Sequence, residues 1–436
     1  MDKPLFDDFN PVSEKEWKQK IQVDLKGKDY NEVMITHTDE GIDIKPFYHQ
    51  DSKTDIVIPS PGHWYITESV NIEKTDQLEK FKDKGSEAFY MEVEHSDNIP
   101  TEILNIDSPC IISLKTVEPE QLKVNPENIY IFDPVSHLIQ TGNWINDQKN
   151  DLKKLQDFVN KTNSLSIDGR IFHNAGANIS QQLAYITAQL QYYFNELELA
   201  SKPLQINILT AIGTNYFFEI AKLKALRLLV NTICKNSDIE YNLKLTSEPG
   251  LHHMSIYDYN VNMLRSTTEC MSAILGGSDY IKNTSYDTIF KNRNEFSQRI
   301  ARNQLLILKH ESYFDKVENV SAGSYYINYL IKALAEKSLD IFKDIERSGG
   351  FIQQLFDGKI QLKIDQQLQK TLEQFQSKTL KLVGVNVYIN EEDRMSSHLE
   401  KEIFEKTKSR KTLIKPIRPK RIAEILEHER LKKESL

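Results

Sequence analysis

Cysteine is scarce in this chain of 436 residues: Cys110, Cys234 and Cys270 stand far apart and form no CxxC pair. That excludes a disulfide framework or a thiolate metal cluster and points to a reducing compartment. Long apolar runs are missing too, and none approaches the roughly 18 residues that a membrane-spanning helix needs. The opening stretch, MDKPLFDDFNPVSEKEW, is acidic and polar and has no apolar centre of a secretory signal. The expectation is a cytoplasmic protein with no membrane partner. A basic surplus is also lacking. Lys and Arg number 55 against 63 Asp and Glu, and the net charge of -8 argues against nucleic acid as a partner. No P-loop, no GxGxxG after a strand, no HExxH and no GxSxG occurs, so the enzyme classes built on them lose support.

What is present is alternation. Apolar strand-like runs stand at 63–70, 87–93, 110–114, 128–133, 165–168, 206–211, 242–247 and 381–389, the later ones separated by helix-period segments such as NYFFEIAKLKALRLLVNTI. Strands alternating with helices predict a parallel sheet with helical crossovers, and about eight such units favour a (β/α)8 TIM-type barrel over an open sheet. The barrel is assigned to residues 56–395. Residues 1–55 are expected to form an N-terminal arm that cannot close its own core. Its helix begins at a Ser13 cap, with Trp17, Ile21, Val23 and Leu25 as an imperfect apolar face, and GIDIKPFY reads as a short strand. Residues 396–436 read as a C-terminal extension. A basic, exposed linker within FEKTKSRKTLIKPIRPKR leads to a terminal helix with Ile422, Ile425, Leu426 and Leu431 on one side.

Few residues offer chemistry. His173 follows Asp168-Gly169 and precedes Ala175-Gly176-Ala177, at a strand-to-helix joint where barrel enzymes place catalytic groups. A neutral imidazole there could serve as a general acid, but a lone histidine beside Asn174 is more often a satisfied structural group. His252 and His253 fall on a loop after a strand. Adjacent histidines cannot both face one metal without strain, and no carboxylate stands at ligand spacing, so no metal site is assigned. His137 in DPVSHLIQTGNW invites comparison with a DxHxxG cobalt-ligating loop, but Asp133 is too far from it. Gly276-Gly277 reads as a helix C-cap.

Several blocks together resemble one family. LFDDFNPVSEKEWKQKIQVDLKGKDY with EGIDIKPFY is similar to the N-terminal arm of methylmalonyl-CoA mutases. YDYNVNMLRSTTECMSAILGG (257–277), FSQRIARNQLLILKHES (296–312), SAGSYYINYL (321–330) and LVGVNVYIN (382–390) continue the match in order. The NVNMLRSTTE form resembles the small, β-type subunit. The resemblance implies a holoenzyme that interconverts methylmalonyl-CoA and succinyl-CoA with adenosylcobalamin, its barrel threading coenzyme A through the centre. In the family's catalytic chain a tyrosine ends an RPWTIRQY-like strand and a histidine stands in an SGYHMQEAGA-like joint. In GHWYITES here, Gly62 and Thr67 replace arginines and Ser69 replaces the tyrosine. Aligned on Ala175-Gly176-Ala177, the histidine position falls on Ile171, two residues from His173.

The resemblance therefore implies a non-catalytic small subunit with no cofactor-binding residues, no metal ligands and no cobalamin-binding domain. It would form a heterodimer with a large subunit that carries adenosylcobalamin and the active site. Two alternatives stand beside it. One is a barrel enzyme with its own site at His173, His252 and His253; the other is a free-standing binding or chaperone module for a mutase.

Overall fold

A computed structural model describes residues 9–52, 56, 58–200, 202–404 and 410–434. The expected arm boundary at 55 and residues 405–409 of the basic stretch lie outside the described residues. Eight strands form one sheet: β1 Tyr65–Ser69, β2 Ala88–His95, β3 Cys110–Thr116, β4 Ile129–Ile131, β5 Ser164–Asp168, β6 Leu204–Ile212, β7 Tyr241–Pro249 and β8 Tyr280–Lys282. Their order is β4-β3-β2-β1-β8-β7-β6-β5, every pair is parallel, and helices cover the outside. This is the expected (β/α)8 TIM-type barrel, nearly closed. The strands alternate as the pleat demands: in β2, Phe89 and Met91 join the core shared with the helices, while Ala88 and Tyr90 belong to a separate inner cluster.

The eighth strand is not where the sequence placed it. Residues 381–389 form turns with one isolated Val383–Val387 bridge, because Gly384 and Tyr388 both take positive φ. The true β8 is three residues long and follows directly on Gly276-Gly277, which does end a helix, Val261–Leu275, with Gly277 at φ +85°.

The ladder stops between β4 and β5, and side chains bridge the gap. Ser164 and Ser166 Oγ donate to the Tyr130 carbonyl at 3.1 and 3.3 Å, and Asn207 Nδ2 donates to Ser164 Oγ at 2.7 Å. Asp133, just past β4, caps the helix Pro134–Thr141 by accepting from Ser136 N at 2.9 Å. Its carboxylate also accepts from Asp168 N at the end of β5 (3.0 Å), from Gln189 Nε2 (2.9 Å) and from Tyr193 OH (2.5 Å). Burial pushes the Asp133 carboxyl up, and the surrounding donors, Ser136 and Tyr193 first, oppose that.

The arm's helix, Glu14–Asp24, opens with a full capping box between Ser13 and Glu16. Its expected apolar face buries nothing, however. Trp17 stacks on Phe47 of the arm itself at 4.5 Å, and Val23 is exposed. GIDIKPFY contributes only Asp43–Ile44, paired antiparallel with Thr36–His37. The arm is fixed to the barrel by other groups. Glu40 accepts from Ile179 N, Ser180 N and Ser180 Oγ at 2.6–2.9 Å at the start of the helix Ile179–Glu196, where the helix dipole favours an anion. Tyr48 packs on Tyr326 and Tyr329 at 5.0 Å.

Residues 410–423 are not an exposed linker. They run as a strap over the loops following β4, β5 and β7, where Ile417 N donates to Ile139 O, Lys420 N to Asn174 O and Ile422 N to His252 O. Ile414 and Ile417 are buried, while Lys411, Lys415 and Lys420 are exposed. Gly142, at φ +82°, lets the strap pass; a Cβ there would lie 2.7 Å from the Ile414 carbonyl oxygen. The terminal helix is Glu424–Glu434, and its inward residue is Glu427, paired with Arg421 at 2.6 Å, whereas Ile425 and Leu426 are exposed. Of the apolar side expected there, Ile422 is buried and Leu431 packs against the cluster of Ile256, Tyr257, Phe290 and Met395, while Ile425 and Leu426 face outward.

Asp133→Ala would leave Tyr193, Gln189 and two backbone amides without their acceptor. It should cost about 3 kcal/mol or more in urea unfolding, and Asp133→Asn less, because an amide oxygen still accepts. A loss under about 1 kcal/mol for the alanine variant would show that the seam does not depend on this carboxylate.

Candidate functional site at the barrel mouth

The inside of the barrel is filled. Ala88, Tyr90, Ile111, Ile129, Ile131, Leu209 and Tyr280 cluster with Tyr65 against them, and the Tyr65 and Tyr280 rings stack at 5.1 Å. Next to this layer lies an ion network. Arg170 donates to Asp168 through Nε and Nη2, both at 2.8 Å, to Glu248 through Nη1 at 3.2 Å, and to Tyr90 OH at 3.3 Å. Lys282 pairs with Glu248 and stands 4.1 Å from the centre of the Tyr90 ring. Burial alone would raise the Glu248 carboxyl, yet Lys282 and then Arg170 bring it below the usual glutamate range. Two cations and two carboxylates thus satisfy one another where the strand ends converge.

The positions singled out from the sequence surround this network. Ser69 ends β1 and lines a cavity of about 280 Å³ at the mouth. Thr67 is buried, its hydroxyl donating to Tyr65 O at 3.2 Å. Ile171 is buried in the apolar core, one residue from Arg170. None of the three supplies an ionisable group.

The three histidines do come together. The His173 ring lies 6.1 Å from that of His252 and 6.0 Å from that of His253, beside a cavity of about 410 Å³ shared with residues 37–40 of the arm. His252 Nδ1 meets the Lys420 carbonyl of the strap at 2.5 Å, so Nδ1 carries the proton. Gln182 Nε2 approaches His173 Nδ1 at 3.4 Å as donor, which leaves the His173 proton on Nε2, and that atom has no partner. His253 Nδ1 is likewise buried without a partner. The His173 ring occupies space left by two glycines after β6 and β7: a Cβ on Gly213 would lie 2.8 Å from its Cε1, and one on Gly250 2.2 Å from its Nε2. Burial, reinforced by Lys222 and the other two rings, holds His173 well below the usual histidine range; burial also brings His252 to about 4 and lowers His253. The rings are neutral, and no group of three or more His, Cys, Asp or Glu among the described residues is arranged to hold a metal ion.

A sequence model of methylmalonyl-CoA mutase matches residues 97–433. The chain belongs to the methylmalonyl-CoA mutase family. It is 28% identical over 413 residues to a methylmalonyl-CoA mutase small subunit of Porphyromonas gingivalis, covering 82% of this chain and 66% of that one. It is 33% identical over 240 residues to a methylmalonyl-CoA mutase of Rhizobium meliloti (52% and 33% of the two chains). Against a methylmalonyl-CoA mutase large subunit of Porphyromonas gingivalis it is 29% identical over 237 residues (52% and 33%). The chain spans two thirds or less of the length of these relatives. No helix among the described residues is long and apolar enough to cross a membrane.

The family's corrin cofactor does not fit the residues at this mouth. His137 is half-buried within the helix Pro134–Thr141, and Asp133 is consumed by the seam. His252 is held to the strap, and His173 is packed between glycines. Sequence reasoning missed Tyr90, Arg170, Glu248 and Lys282. Their signal was present in the strand alternation, which turns Tyr90, Glu248 and Lys282 inward, but four residues so far apart show no spacing that links them.

In the unfolded chain His252 titrates near 6.5 and in the fold at about 4, so the unfolded chain takes up the proton first. The stability this provides is complete above pH 6.5 and is lost as pH falls towards 4, by about 3 kcal/mol for His252 alone. His173 and His253 act with the same sign. His252→Asn keeps a donor for the Lys420 carbonyl and removes the titration. It should therefore narrow the gap in urea midpoint between about pH 7 and pH 5; an unchanged gap would mean that the ring is not buried neutral.

Proposed function

We propose that this chain is the small, non-catalytic subunit of an adenosylcobalamin-dependent methylmalonyl-CoA mutase. A large subunit, bound to it in a heterodimer, would contribute the cofactor and the residues that isomerise methylmalonyl-CoA and succinyl-CoA. The observation that carries this reading is the self-paired network of Tyr90, Asp168, Arg170, Glu248 and Lys282 over the stacked Tyr65 and Tyr280. It fills the space through which a barrel of this family would thread coenzyme A. Ser69 and Ile171, at the family's catalytic positions, offer neither a phenol nor an imidazole. Existence of both small-subunit and large-subunit relatives in Porphyromonas gingivalis supports the partnership. The division of labour is then a barrel at 56–395, with the arm at 1–55 and the extension at 396–436 as further surface for the partner.

The proximity of His173, His252 and His253, with two ring nitrogens unpartnered, favours a second reading: a barrel enzyme with its own acid–base site. The lowered pKa values weigh against it, because a general acid or base works best with a pKa near the working pH.

The pure chain should show no isomerisation with adenosylcobalamin and methylmalonyl-CoA, and activity should appear on adding the large subunit in equimolar amount. In that reconstituted complex His173→Ala should leave turnover nearly unchanged while costing about 1–3 kcal/mol of folding free energy. A fall in rate of roughly two orders of magnitude with an unchanged melting temperature would instead establish the histidine site.

A further inference from the structure

The cavity beside Ser69 differs from the rest of the mouth in its balance of charge. Two of its cations are matched: Lys282 by Glu248, and Arg302 by Glu68 at 3.0 Å. Three others, Lys291, Arg293 and Lys401, line the same cavity and form no ion pair among the described residues. The remaining acid, Asp287, accepts from Asn294 Nδ2 at 2.9 Å through its carboxylate, while its main-chain carbonyl takes the amides of Phe290 and Lys291. Five cations and three carboxylates therefore line the cavity, and Glu68, engaged by Arg302, also attracts Arg293.

The wall itself is incomplete. Arg302 is 4% exposed, and its Nε has no hydrogen-bond partner, although Nη1 is bound to Glu68. Asn283 Oδ1, in the same wall, is also buried without a partner, while its amide nitrogen donates to Ala301 O and Gln304 Oε1, both at 2.9 Å. Buried polar groups in folded chains are nearly always paired, so an unused donor and an unused acceptor in the wall leave this side of the cavity incompletely satisfied by the chain's own groups. The surplus of positive charge asks that the guest be an anion, whose oxygens would accept from the cations.

We propose that this cavity binds a small organic dianion, a dicarboxylate or a phosphate monoester, through Lys291, Arg293 and Lys401, with Arg302 in its buried wall. Its volume of about 280 Å³ limits the guest to a small molecule. The site needs no cofactor and no second subunit, so it stands or falls independently of the subunit assignment. It would give a barrel without its family's catalytic groups a means of sensing an acidic metabolite.

The test is calorimetric titration of the purified chain with succinate and, separately, with inorganic phosphate, ionic strength being held constant with potassium chloride. At least one should bind saturably with a Kd near or below about 1 mM, and the one that does identifies the class. The double variant Lys291→Gln/Arg293→Gln should bind at least about 10-fold more weakly, while Lys332→Gln, on the exposed face of the helix Tyr325–Arg347, should bind as the parent does. In the unsubstituted protein the same anion should slow acetylation of Lys291 several-fold and leave Lys332 unaffected, a readout that needs no variant to fold. Absence of saturation by either anion up to about 10 mM, or an affinity indifferent to the double substitution, would overturn the proposal.

Discussion

Closure of the cylinder is the constraint on which the rest depends. Eight strands of three to nine residues must return to their starting point, and backbone pairing runs from β4 the long way round to β5 and stops. At that gap two serines and an aspartate do what amides and carbonyls do elsewhere. Asp133 does most of it, because one carboxylate terminates β4, caps the next helix, holds the last amide of β5 and engages two side chains of the helix Ile179–Glu196. Removing such a group from water costs several kcal/mol, which only a full set of donors can offset. Here the set is full, and the seam is consequently specific: a one-residue slip of β5 would separate Asp168 N from its acceptor and turn Asp168 away from Arg170.

That register controls the mouth. Asp168 orients Arg170 through two hydrogen bonds, Arg170 reaches Glu248 across the barrel, and Glu248 holds Lys282. In barrel enzymes these strand ends present unmatched polar groups to a substrate. In this chain the equivalent groups find their partners within the protein, and the strap lies over the loops after β4, β5 and β7. A mutually satisfied network of buried charge resists rearrangement, because breaking any one contact leaves an uncompensated charge behind. Rigidity of this kind suits a scaffold and opposes the opening and closing that a radical enzyme needs, which is why the network bears more heavily on the proposed role than the loss of any single catalytic side chain does.

Much of the barrel was legible because alternation with period two, interrupted by helical stretches, is imposed by the pleat itself. Ser13 and Gly276-Gly277 announced themselves for a similar reason: caps use few residue types, each with a local hydrogen-bonding or conformational cause. The failures were failures of range. β8 spans only Tyr280–Lys282, too short for any period to show, whereas 381–389 alternates well but is bent by Gly384 and Tyr388. The strap looked like a linker because its composition is basic; the burial of Ile414 and Ile417 follows from contacts with residues more than two hundred positions earlier. The candidate site was legible only through Ser69 and Ile171, which the family resemblance marked and which lie at the mouth and in the core beside Arg170. The ion network at the mouth draws on β2, β5, β7 and β8, and no local pattern reveals groups that meet only in the closed barrel.

The same accounting explains why the few unmatched groups carry weight. Function usually leaves strain or unsatisfied polarity in a fold, and chains relieved of chemistry can settle into full pairing. Over most of the mouth the polar groups of this barrel are paired. In several places they are not, among them the histidine cluster and the cavity of Arg302 and Asn283. At the first, the unpartnered nitrogens are neutral, and His173 is wedged between two glycines, so packing accounts for its position. At the second, the unused atoms lie in the wall of a cavity lined by five cations and three carboxylates, and packing offers no account of that surplus of positive charge. A surplus of positive charge persists beside a cavity only at a cost in self-repulsion, and an anion held there would remove that cost.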